Sequence, residues 1–199
     1  GEAVPVTVTA EGVSSNQVTM AVGRAGTTPT LFSSLYRPVA AAITLHFAPT
    51  ERAERTLLQE GYPAAEVFLT GNTAVDAVQL LAQRQAAVEP PVQATLEACA
   101  GYKMVLVELH RRENWGEPLR GLCGALRRLV SQETKAFVVF SVHPNPVVSE
   151  VVHEELQGLD RVRLLTPPQY PSFVRLMKEC YFVLTDSGGL QEEAPSLGK

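Results

Sequence analysis

Two short runs in this sequence hold residues whose types and spacing suit chemistry on an anionic ligand. The first, Asp186-Ser187-Gly188-Gly189-Leu190-Gln191-Glu192-Glu193, follows the apolar run Tyr181 to Thr185. Where such a segment passes from a strand into a helix, unpaired backbone N–H groups and the helix dipole can hold a diphosphate. Gly188 and Gly189 would let main chain approach phosphate with no side chain in the way. Glu192 and Glu193 would repel phosphate, but a carboxylate one turn into the helix can accept hydrogen bonds from both ribose hydroxyls. Read alone, Ser187-Gly188-Gly189 is better taken as a plain glycine turn whose acidic neighbours serve the dipole, and the adjacent polar loops shift the balance toward a nucleotide site.

The second run, His110-Arg111-Arg112-Glu113-Asn114, follows Met104 to Leu109. As a cationic cluster facing substrate, it offers an Arg to clamp phosphate oxygens and a His to act as acid, base or donor near neutral pH. The bland alternative is a solvated turn with internal Arg–Glu pairs. His143, between a strand and Pro144, is about as well read as a packed, satisfied histidine as a functional one. Trp115 is more simply a packing residue than a cover for a site.

These residues need a scaffold that brings loop ends together, and the chain supplies one. From residue 43 onward, short apolar runs alternate with amphipathic stretches. Ile43 to Ala48 reads as a strand, with Thr50 capping a helix that Gly61 ends, and Glu66 to Thr70 as the next strand. A helix from Thr73 to Ala86 places Val75, Val78, Leu81 and Ala82 on one face. Val88-Glu89-Pro90-Pro91 breaks the pattern before a short helix carrying Leu96. Strands then follow at Met104 to Leu109, Ala136 to Val142, Val162 to Leu165 and Tyr181 to Thr185. Helices follow them at Pro118 to Val130, Val147 to Leu156, Tyr170 to Lys178 and from Leu190. These strands are continuously apolar, as in a parallel sheet covered on both faces, so the fold class is α/β. In such sheets ligands bind beyond the carboxyl ends of the strands, where all of these polar loops fall.

Composition sets outer limits. The chain has 199 residues, 45% hydrophobic and 19% charged, with net charge −4. That suits a globular protein with a core, and the scattered basic residues exclude a nucleic-acid surface. Cys99, Cys123 and Cys180 show neither zinc nor disulfide spacing and read as buried thiols of a cytoplasmic protein. No stretch is long enough to span a bilayer. Residues 12–30 are rich in Ser, Thr and Gly, and residues 1–42 read as a poorly specified leader. Both ends read as cut.

Several segments together resemble the non-hydrolysing UDP-N-acetylglucosamine 2-epimerases. They are Leu45-His46-Phe47-Ala48-Pro49-Thr50-Glu51-Arg52-Ala53, Thr70-Gly71-Asn72-Thr73-Ala74-Val75-Asp76, the His110 to Asn114 run, Val142-His143-Pro144-Asn145-Pro146, Tyr170 with Phe173, and Thr185 to Lys199. They fall in family order over residues 45–199. The resemblance implies a Rossmann-like, GT-B-type fold, here with residues 43–72 as the tail of an N-terminal domain and 73–199 as a C-terminal UDP-binding domain. It implies conversion of UDP-GlcNAc to UDP-ManNAc by elimination and re-addition of UDP, without metal or other cofactor, in a homodimer. It also implies His110 as a catalytic residue, Arg111, Glu113 and Asn114 in the same substrate-binding loop, and Phe173 by the uracil. Ser187, Gly188 and Gly189 then hold phosphate, Glu192 and Glu193 lie at the ribose, and His143 lies near a regulatory UDP-GlcNAc site.

Before residue 43 the pattern departs from the family. Its Gly-Thr-Arg-Pro-Glu loop and its Gly-Asp-Thr-Thr stretch, which carries a catalytic Asp, have no counterpart. Val4 to Gly12 is similar to Ile-Pro-Val-x-His-Val-Glu-Ala-Gly, with Glu11 displaced by one position, which in a strand means the opposite face. Leu31 to Arg37 stands where members carry Pro-Glu-Glu-Ile-Asn-Arg-Arg. Losing one general base costs ~10²–10⁴ in rate, so this polypeptide is expected to have little or no epimerase activity. The alternatives are a non-catalytic UDP-sugar binder, a hydrolysing epimerase and, lower, a GT-B-type glycosyltransferase.

Overall fold

The computed structural model describes residues 44–84 and 87–199, so the readings made for residues 1–43 and for Ala86 lie outside the described residues. The chain divides into two compact units, with the division after Thr73.

In the first unit, β1 (His46–Ala48) and β2 (Val67–Leu69) pair in parallel, His46 opposite Val67. Between them lies α1 (Glu51–Gln59), whose N-terminus is capped by Thr50 Oγ1 accepting from Ala53 N at 3.2 Å. Gly61 follows the helix end with φ of 92°, a conformation that favours glycine. Both strands are shorter than the apolar runs suggest. Glu66 is taken into a 3-10 turn, and Thr44 lies in a bend.

The second unit is built on four parallel strands: β3 (Lys103–Leu109), β4 (Ala136–Val142), β5 (Val162–Leu165) and β6 (Phe182–Thr185). Their spatial order is β5-β4-β3-β6. Six helices join the chain around them: α2 (Thr73–Gln83), α3 (Pro90–Ala98), α4 (Glu117–Gln132), α5 (Pro146–Leu156), α6 (Tyr170–Glu179) and α7 (Gly188–Ser196).

Alternation along the strands sorts their side chains between two cores. Met104, Leu106, Phe137 and Val139 pack with Val78, Val92, Phe173, Met177 and Leu190 from α2, α3, α6 and α7. Val105, Val107, Leu109, Val138 and Phe140 pack with Leu119, Cys123, Leu126, Val152 and Leu156 from α4 and α5. Every residue of β4 is buried, as a continuously apolar strand between two helical layers requires. The three cysteines are free and buried, and burial pushes each thiol up to about 11.

Two helix starts correct the sequence reading. Pro90 and Pro91 do not stop the chain short of a helix. They form the first positions of α3, where the missing N–H groups carry no penalty. The last helix opens at Gly188 rather than Leu190, so both glycines lie in its first turn. At the far end of α4, Arg161 adopts φ of 56°, and its guanidinium donates to the carbonyls of Val130, Glu133 and Ala136. At Val130 and Glu133 it thereby satisfies acceptors that a helix end leaves open, and at Ala136 it ties that end to β4. Among the described residues no helix is long and apolar enough to cross a membrane.

Candidate functional site

From β3 the chain moves outward to β4 and β5, then returns to lay β6 against the other side of β3. In open parallel sheets ligands bind at such a reversal, which here falls at the carboxyl ends of β3 and β6. Glu108 of β3 is in register with Thr185 of β6, so the loops beginning at His110 and Asp186 emerge side by side.

Asp186 binds the two loops together. Its Oδ1 accepts from His110 N at 3.0 Å, and its Oδ2 from Arg111 N at 3.1 Å and Asn114 Nδ2 at 2.8 Å. Burial alone would push this carboxyl upward. The hydrogen bonds from Asn114, His110 and Arg111, with the nearby imidazole, outweigh burial and hold it below the usual carboxylate range. Below it, Glu108 Oε1 meets His110 Nδ1 at 2.9 Å, and Glu108 Oε2 accepts from Thr185 Oγ1 at 3.0 Å. Thr185 Oγ1 in turn accepts from Ser187 N at 2.9 Å.

The Ser187 amide is therefore already engaged, which removes one of the three N–H groups read from the sequence as open to phosphate. Gly188 and Gly189 make no backbone-donor hydrogen bond among the described residues and head the nine-residue α7. Neither needs to be glycine for its φ, since both lie outside the positive region. A Cβ placed on Gly189 would meet only Ser187 Oγ at 3.9 Å and Glu193 Oε1 at 4.0 Å, both ordinary contacts. The protein's own packing thus does not demand glycine at 189, whereas a phosphate resting on the helix end would.

Glu193 lies one turn on, with Oε2 accepting from Tyr170 OH at 3.0 Å. Burial raises the Glu193 carboxyl above its ordinary value, opposed by the Tyr170 hydrogen bond and assisted by the charge of Glu192. The Tyr170 phenol is raised in turn by burial, by that hydrogen bond and by the Glu193 charge.

Other residues named from the sequence fall in different surroundings. The Arg111 guanidinium has no hydrogen bond or ion pair among the described residues, whereas Asn114 is committed to Asp186. Glu113 is exposed on the short turn Arg112–Asn114, and Glu192 is partly buried beside Glu193. Phe173 is 8% exposed within the core. His143 accepts at Nδ1 from Asn145 N at 3.1 Å, and its ring centroid lies 6.4 Å from that of Trp115. Trp115 packs on the α4–α5 core, with Nε1 buried and unpartnered among the described residues.

Sequence reasoning missed Glu108, Thr185 and the tethering role of Asp186. A signal for Glu108 existed: it is the one acid in an apolar strand, two residues before His110 and so on the same face. Glu108, His110 and Asp186 offer ligand atoms within 4.8 Å of one another, a spacing that suits a divalent cation. However, each of the four carboxylate oxygens already meets a donor from the protein or, for Glu108 Oε1, the His110 ring.

A family model described as UDP-N-acetylglucosamine 2-epimerase matches residues 27–199. The chain belongs to this family. The match begins within the stretch 1–42 that motif comparison alone leaves unplaced. The chain is 44% identical to the UDP-N-acetylglucosamine 2-epimerase of Bacillus subtilis (strain 168) over 166 residues, 83% of this chain and 42% of that protein. It is 43% identical to the family member from Yersinia pestis over 159 residues, 77% of this chain and 42% of that protein. The chain thus spans about two-fifths of the length of the curated relatives it matches.

Among solved family structures, the co-structure of S. aureus MnaA with UDP aligns with a TM-score of 0.74 and 39% identity, over 81% of this chain and 43% of that one. The Neisseria meningitidis UDP-GlcNAc 2-epimerase bound to UDP-GlcNAc aligns with a TM-score of 0.72 and 34% identity, over 82% and 45%. These family members share the α/β, Rossmann-like parallel sheet found here.

Proposed function

We propose that residues 73–199 form the UDP-binding domain of a UDP-GlcNAc 2-epimerase, and that residues 43–72 belong to its N-terminal domain. The observation that carries this reading is the head of α7. Two glycine amides lie open there beside a loop pinned by Asp186, with a carboxylate four residues beyond Gly189. Gly188 and Gly189 hold the diphosphate of UDP through main-chain N–H groups. The Arg111 guanidinium, without a partner of its own among the described residues, supplies positive charge to the same oxygens. Glu193 accepts from the ribose hydroxyls, Glu192 supports it, and Phe173 lies by the uracil. Glu113 and Asn114 shape the substrate loop.

In the reaction proposed for the complete enzyme, a proton leaves C2 of the sugar and the C1–O bond to UDP breaks, giving a glycal. Return of a proton to the opposite face of C2 and re-addition of UDP at C1 give UDP-ManNAc. His110 serves this step as a catalytic-site donor or acceptor beside the leaving diphosphate. His143 is proposed as a contact for a second, regulatory UDP-GlcNAc. A cytoplasmic homodimer is the proposed setting.

Titration calorimetry with UDP, run beside an assay for UDP-ManNAc formation from UDP-GlcNAc, tests the reading. UDP binding to this chain is expected. Failure to bind UDP would remove the proposal, and binding without turnover would assign this chain as a UDP-sugar binder.

A further inference from the structure

We propose that Glu108 is a positioning residue that fixes the tautomer and orientation of His110, and that Thr185 couples this pair to the glycine loop. The inference rests on His110 facing the nucleotide sugar, but its geometry stands apart from that reading.

The hydrogen bonds form a directed chain. Ser187 N–H donates to Thr185 Oγ1, whose own proton must then go to Glu108 Oε2. A carboxylate can only accept, so at Glu108 Oε1 the 2.9 Å contact requires His110 to donate from Nδ1. The neutral ring is therefore the Nδ1–H tautomer, and Nε2, which makes no hydrogen bond among the described residues, keeps its lone pair. If the ring is protonated, Nε2 becomes a donor while Nδ1 stays anchored.

The surroundings suit such a role. Side-chain exposure falls from 39% at His110 to 21% at Glu108 and 11% at Asp186, so the ring reaches outward from a progressively buried support. Asp186 Oδ1, 3.7 Å from His110 Nδ1, is occupied by the His110 amide and holds the backbone rather than the ring. No hydrogen bond or ion pair joins the Arg111 or Glu113 side chain to the imidazole among the described residues. Glu108 is thus the group that decides which ring nitrogen carries the proton. The route Ser187–Thr185–Glu108–His110 also places the ring under the control of the loop proposed to carry phosphate.

The test is nitrogen-15 NMR of the imidazole side chains in the full chain at alkaline pH. His110 is distinguished from His46, His143 and His153 by the spectrum of His110→Gln. The native chain is expected to show the Nδ1–H pattern for His110. Glu108→Ala is expected to lose that single pattern to a mixture, and Glu108→Gln, whose amide oxygen still accepts, to keep it. An Nε2–H pattern in the native chain overturns the proposal without recourse to any variant, and so does an unchanged pattern in a folded Glu108→Ala protein. Adding UDP to the same sample separates the two readings. Unmoved Gly188 and Gly189 amide signals count against UDP binding, whatever the tautomer of His110.

Discussion

The phenol of Tyr170 donates to Oε2 of Glu193 at 3.0 Å, joining the first turn of α6 to the second turn of α7. If Glu193 grips ribose, its removal costs the net equivalent of one hydrogen bond to a charged acceptor, about 1.5–3 kcal/mol. Glu193→Ala is therefore expected to weaken UDP binding roughly 10- to 100-fold by calorimetry. Because burial raises the Glu193 carboxyl, binding should decline on acidification sooner than an ordinary glutamate would allow. Tyr170→Phe removes the hydrogen bond that opposes this rise, so it should move the decline to still higher pH.

Gly189→Ala should separate stability from binding. An added methyl meets nothing closer than 3.9 Å, and alanine for glycine in a compatible helical position stabilises by about 0.4–1 kcal/mol. Thermal unfolding is expected at a slightly higher temperature, with UDP affinity reduced. Unchanged affinity would place the diphosphate elsewhere.

Asp186→Asn tests the tether. The asparagine amide nitrogen would face one of the N–H groups that Asp186 now accepts, so a loss of about 1–3 kcal/mol is expected at neutral pH in denaturant titrations. The folded Asp186 carboxyl lies below its ordinary value. Its contribution is present above the ordinary aspartate range and is lost as pH falls through the depressed value. The variant should therefore show a flatter acid limb in a plot of stability against pH.

Arg161 makes a purely structural prediction. Its guanidinium serves the carbonyls of Val130, Glu133 and Ala136. Arg161→Ala should destabilise the chain by about 1.5–3 kcal/mol and leave UDP affinity unchanged.

How much of this was legible in the sequence depended on what held each residue in place. Strands β4 and β5 occur at the residues read from the apolar runs; unbroken burial on both faces leaves a plain signature in β4, whereas the edge strand β5 buries only Val162. The two-residue difference at α7 arose because glycine reads as a breaker, although here it adopts helical φ at a helix start, where its missing side chain costs least. His110, Gly188 and Gly189 stood out as candidates because their types carry chemistry wherever they stand. Glu108 was hidden inside a hydrophobic run, and the bond from Asn114 to Asp186 was not legible because its partner lies 72 positions away. Pairings of that kind depend on strand order, which local pattern does not encode.

The bonds that knit the two loops together join residues 72 to 77 positions apart. As the polypeptide leaves the ribosome, the His110 loop must wait for Asp186 and Thr185 to follow before its amides and carboxylate find their partners. Closing so long a segment delays these contacts relative to local helix formation. The paired loops are consequently among the last parts of the domain to mature, and a nascent chain halted before residue 186 would carry a nearly complete hydrophobic interior with an unassembled rim.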